Sequence, residues 1–98
     1  MSETSVLDND SLRIYFGPRG EWARACGQRV KAKRIACHMT ILTLATQSHT
    51  TAQTIQRVEN GSLVPRERLR ASISFALMTE PQMLWPYPTL VELAAVAS

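Results

Sequence analysis

The chain has 98 residues, 45% hydrophobic and 19% charged, which suits one domain with a modest core and leaves no room for a second large one. No apolar run approaches the roughly 18 residues that cross a bilayer, and the acidic start lacks a leader's basic-then-apolar layout, so a membrane-spanning or secreted protein is not expected. Two cysteines, Cys26 and Cys37, are too few for a disulfide scaffold and point to reduced thiols in the cytoplasm.

The charge is unevenly placed. Residues 19–35 carry Arg19, Arg24, Arg29, Lys31, Lys33 and Arg34 against Glu21 alone, whereas the charges of residues 36–98 cancel. Such a concentration favours a polyanionic partner, nucleic acid ahead of an acidic membrane; a solvated helix face is the plain alternative.

In chain order, residues 1–11 read as a polar arm. Leu12-Arg13-Ile14-Tyr15-Phe16 alternates like a short strand, closed by Gly17-Pro18-Arg19-Gly20. A lone strand must pair across a dimer or lie as an arm on the core, and the second is expected. From Glu21 a helix is predicted, with Trp22, Cys26 and Val30 stepping by four and Cys37 continuing the face. Thr40 is placed to cap a helix over Ile41–Ser48, and Thr50 or Thr51 one that ends at Glu59, with Asn60-Gly61 as a left-handed stop. Pro65 opens a helix to about Thr79 and Pro81 a short turn with Met83, Leu84 and Trp85. After Pro86-Tyr87-Pro88, the apolar stretch Thr89–Ala97 reads as one more helix. The expected class is all-α, divided into an arm (1–20), a central domain (21–88) and a terminal helix (89–98).

Two short helices joined by a tight turn, with a basic helix before them and two helices behind, describe a helix-turn-helix unit. Arg29-Val30-Lys31-Ala32-Lys33-Arg34-Ile35, Thr40, Leu44-Ala45, Thr50-Thr51-Ala52-Gln53-Thr54-Ile55, Val58-Glu59-Asn60-Gly61, Pro65, Ile73, Ala76-Leu77 and Leu84-Trp85 together resemble the Cro/CI (XRE) family of small phage and bacterial repressors. The likeness runs from about Gly27 to Trp85. It implies a compact five-helix, lambda-repressor-like domain whose recognition helix, Thr51–Asn60, enters the major groove.

On that helix Thr51, Ala52, Gln53 and Gln56 lie at the start and outer face. A Gln amide offers a donor and an acceptor to an adenine edge, and the Ala methyl meets a thymine methyl. Ile55 and Val58 point inward. Thr40, Asn60 and Arg66 are the first candidates for phosphate, with Arg57, Lys31 and Lys33 adding charge at the flanks. The resemblance also implies that Arg34 and Glu59 form a largely buried salt bridge that positions the first helix of the unit against the recognition helix. This chain departs from the family at His38 and His49, which stand where Gly is usual. It departs also at Ile41, in place of a contacting Gln, and at Ser48, in place of a core aliphatic.

No nucleotide loop, carboxylate cluster or nucleophile motif is present. Cys37-His38 is adjacent rather than metal-spaced, so no enzyme, metal or cofactor is expected. The sequence reads as a DNA-binding transcriptional regulator in a bacterial cytoplasm, with double-stranded DNA and a second copy of itself as partners. The alternative is a helix-turn-helix protein that works through protein contacts, as an antitoxin or regulator cofactor. The surplus apolar surface of Thr89–Ala97 motivates both the homodimer and a protein partner at the terminal helix.

Overall fold

A computed structural model describes residues 9–87; the helix expected over Thr89–Ala97 lies outside the described residues. Those described form six helices and no strand: α1 (Asn9–Phe16), α2 (Glu21–Ala36), α3 (Ile41–Gln47), α4 (Ala52–Glu59), α5 (Glu67–Ala76) and α6 (Pro81–Leu84). The chain is all-α, and α2–α6 are the five helices anticipated.

The strand expected over Leu12–Phe16 is instead the body of α1. Five alternating residues are too few to separate the two periods. Leu12, Tyr15 and Phe16 also stand at i, i+3 and i+4, and these are half-buried while Ile14 is 72% exposed. Asp10 sits in the first turn, where the helix dipole favours an anion, and faces Arg13 at 3.9 Å. Thus much of the predicted arm is a helix packed on α2.

In α2 the inward face is Ala23, Cys26, Gly27, Val30 and Arg34, the spacing of one helical stripe. A Cβ at Gly27 would run into the carbonyl oxygens of Val58 and Glu59, so the end of α4 lies directly against the α2 backbone. Val30 meets Leu44 and Ala45 of α3, Ile55 and Val58 of α4, Ile73 and Leu77 from α5 and its end, and Leu84 and Trp85 in one core cluster. Cys26 is buried and Cys37 half-buried, and neither is in a disulfide.

Thr40 and Thr51 cap α3 and α4. Each hydroxyl accepts from the amide three residues on, at 3.0 and 3.1 Å. Helix α5 begins at Glu67 rather than at Pro65, because Arg66 is extended and the Pro65 carbonyl accepts the Arg70 Nε–H at 2.7 Å. Arg70 then lies over the rings of Trp22 and Trp85, 5.7 and 5.9 Å from their centroids, while Trp22 Nε1 donates to the Pro86 carbonyl at 3.1 Å. Phe16 joins this layer edge-on to Trp22, 5.8 Å away.

Helices α2 to α5 end alike. In each, the second residue past the cap donates back to a carbonyl five positions earlier: Met39 to Arg34, Thr50 to Ala45, Ser62 to Arg57 and Thr79 to Ser74. The residue before each donor is left-handed: His38 (φ 58), His49 (φ 59), Gly61 (φ 82) and Met78 (φ 57). These are Schellman closures, which favour Gly at that position. Only at Gly61 is a side chain sterically barred, since a Cβ would stand 2.6 Å from Arg24 Cγ and 2.8 Å from Arg24 Cα. His38, His49 and Met78 are exposed, so their side chains have room and only the backbone is strained. The left-handed form costs a non-glycine residue about 1–2 kcal/mol. We therefore expect His38→Gly, His49→Gly and Met78→Gly each to stabilise the fold by about 1 kcal/mol in urea melts, and Gly61→Ala to destabilise it.

Candidate nucleic-acid interface

The placement of α4 depends on Arg34. Its Nε–H donates to Glu59 Oε2 at 2.6 Å, Nη2 to Oε1 at 3.1 Å and Nη1 to the Met39 carbonyl at 2.9 Å. Arg34 is 9% exposed and Glu59 6%. One guanidinium thereby ties α2, the turn after it and the last residue of α4. The planar fork matches the carboxylate with two bonds, which sets orientation as well as separation.

With Ile55, Val58 and Glu59 turned inward, α4 presents Gln53, Gln56, Arg57 and Asn60 to solvent. These stand at i, i+3, i+4 and i+7, so they form one polar stripe. Arg57, expected at a flank, is on the same stripe as the two glutamines. Ala52 and Thr54 are half-exposed at the start of the helix.

A shallow cleft of about 420 Å³ runs beside this stripe, lined by Gln28, Lys31, Ile41, Gln56, Glu59 and Asn60. It brings Lys31 of α2 and Ile41 of α3 to the same place as Gln56 and Asn60. The Asn60 Oδ1 accepts from the Ser62 amide at 2.9 Å, which leaves its NH₂ to donate outward. The Thr40 hydroxyl is occupied as the cap of α3 and lies 2.9 Å from Thr43 Oγ1. Thr51 Oγ1 is engaged in the same way with Thr54. These threonines thus fix helix starts, and what they offer a ligand is chiefly the adjacent backbone N–H groups. Arg66 is exposed past the loop that follows α4 and caps α5 without a side-chain bond. It lies off the cleft, as does Lys33. Gln28 and Thr43 were not singled out from the sequence. Gln28 stands three residues before Lys31 on α2, a spacing that could have shown it.

Among the described residues no group of three or more His, Cys, Asp or Glu side chains could hold a metal ion, and no helix is long and apolar enough to cross a membrane.

No protein-family model matches the chain, and no curated protein does. Among solved structures, the crystal structure of the clp gene regulator ClgR from Corynebacterium glutamicum aligns with a TM-score of 0.63 at 22% identity, over 82% of this chain and 80% of that one. The two share a fold. That likeness covers most of both chains, and in this chain α3 and α4 form a helix-turn-helix.

Removing one partner of a buried, hydrogen-bonded ion pair leaves the other charge stranded. Glu59→Ala is expected to destabilise the domain by about 3–5 kcal/mol in urea unfolding, and the double change R34M/E59L to cost less than Glu59→Ala alone. Equal losses would place the effect in packing.

Proposed function

We propose that the chain is a sequence-specific, double-stranded DNA-binding transcriptional regulator of the Cro/CI (XRE) type, a phage or bacterial repressor. The observation that carries this reading is the outer stripe of α4, Gln53-Gln56-Arg57-Asn60, held by the Arg34–Glu59 pair. A rigid helix with exposed amide and guanidinium groups suits base edges in the major groove. Lys31, Asn60, Arg66 and the amides that open α3 supply phosphate contacts around it. The fold shared with a gene regulator supports the same role. Double-stranded DNA is the partner, bound by a homodimer on a two-fold site.

A second reading, a helix-turn-helix protein acting through protein contacts, draws on a groove formed at the end of α3 and along α5. This groove of about 800 Å³ is lined by Met39, His49, Phe75 and Met78 among others, and Phe75 and Met78 are 74% and 81% exposed. Exposed apolar surface of this kind suits a protein partner.

Selection of sites from random duplexes tests the first reading. Gln53→Ala and Gln56→Ala are expected each to lose about 1–3 kcal/mol on the selected site and almost nothing on random DNA. No salt-dependent binding to any duplex would favour the second reading. For assembly, sedimentation should show a dimer for the full chain and a shift toward monomer when residues 89–98 are removed; an unchanged dimer would move the contact elsewhere.

A further inference from the structure

Helix α1 lies outside the stretch from Gly27 to Trp85 that carries the family resemblance, yet the turn after it is pinned to the loop that follows α4. The Arg19 amide donates to the Gly61 carbonyl at 2.6 Å. Arg24, one turn into α2, closes against Gly61 so tightly that a Cβ there would stand 2.6 Å from its Cγ. Two arginines far from α4 in sequence are thereby fixed beside Gly61, the residue after Asn60. Arg19 adopts φ 66 in this turn, and the Phe16–Trp22 contact at 5.8 Å anchors α1 just before it.

Four other arginines already have partners. Arg34 binds Glu59, Arg70 lies over Trp22 and Trp85, Arg13 faces Asp10 and Arg29 reaches Cys26 Sγ. Among the described residues the guanidinium groups of Arg19 and Arg24 have no such partner. Both line one open cleft of about 490 Å³ between α1 and the start of α2, with Glu21 as a carboxylate on its wall. Two cations against one anion leave the cleft positive. Through Arg19 and Arg24 it adjoins Gly61, the residue after Asn60.

We infer that Arg19, in the turn after α1, and Arg24, in the first turn of α2, form a second backbone grip that binds phosphodiester oxygens beyond those reached from Asn60. The inference rests on the DNA-binding reading above and adds to it a contact made by residues outside the helix-turn-helix. Because both backbones are held against Gly61, only the side-chain ends need ordering when phosphate binds.

The test is binding of the full chain to a labelled random-sequence duplex, followed by anisotropy over a range of salt. Each phosphate contact adds about 0.9 to the slope of log affinity against log salt, so R19G/R24A should lower its magnitude by about 1.8. The same change should weaken binding on the order of fifty-fold at about 0.1 M salt, equally on random and selected sites. Arg19→Gly relieves the left-handed strain, so loss of folding is not expected there, and a thermal melt of the variant checks it. R19K/R24K keeps both charges and should keep the slope; Arg13→Ala removes a cation outside the cleft and should leave it unchanged. If wild type binds with a steep slope and R19G/R24A binds with the same slope, the grip is overturned while the DNA-binding reading stands. A slope lost equally in R19K/R24K would also overturn it, by making the effect one of shape rather than charge. Wild type with no salt-dependent binding would overturn both.

Discussion

Three hydrogen bonds from the Arg34 guanidinium, two to Glu59 and one to the Met39 carbonyl, set where α4 lies, and the exposed face of the domain follows from that. Burying both charges costs several kcal/mol of lost hydration, which the mutual attraction and the added bonds offset without a large surplus. The pair is therefore better understood as a positional device than as a source of net stability. The close approach of Gly27 to the Val58 and Glu59 carbonyls makes the same junction tight from the backbone side. With the end of α4 held at two points, its outward residues have a fixed direction, as the proposed base-reading role requires.

The ends of the helices show a different balance. Four closures of one geometry are built with His38, His49, Gly61 and Met78, and glycine occurs only where the neighbouring Arg24 leaves no space. The other three tolerate backbone strain because their side chains reach solvent. Ser48, at the end of α3, and Ser74 in α5 are buried with hydroxyls that have no hydrogen-bond partner among the described residues. Each is a further cost, since an unmatched buried hydroxyl loses its water without replacement. The helix-turn-helix corner formed by Ser48 and His49 thus carries both strain and an unmatched polar group, and the apolar cluster around Leu44, Ile55, Ile73 and Leu77 offsets them.

Arginine serves at least three physical purposes in this chain. Arg34 is buried and orients a helix. Arg70 uses its Nε–H on the Pro65 carbonyl and its flat face on two tryptophans, joining α5 to the aromatic layer. Arg19, Arg24, Arg57 and Arg66 are exposed and retain their charge for a ligand. The net charge of +3 counts all of them equally, although only the exposed ones contribute undiminished to an external field. Sorting the arginines by partner rather than by number is what gives the electrostatic surface its shape.

The helical class and the identity of the main elements were legible in the residue pattern alone. Local rules sufficed: the four-residue steps of Trp22, Cys26 and Val30, the capping hydroxyls of Thr40 and Thr51, and the Asn60-Gly61 stop each act within one or two helical turns. The residue types along α4 were legible for the same reason, since Ile55 and Val58 mark its inner face. What local rules could not decide was α1, where five residues satisfy both the strand and the helix period until Tyr15 and Phe16 find α2 to pack on. The start of α5 was set by a local contact that spacing alone did not show, Arg70 reaching back five residues to the Pro65 carbonyl. Only the tertiary structure placed Lys31 beside Asn60, and Arg19 and Arg24 against Gly61. Those groupings arise from contacts between segments remote in the chain, and a linear reading of charge and spacing contains no term for them.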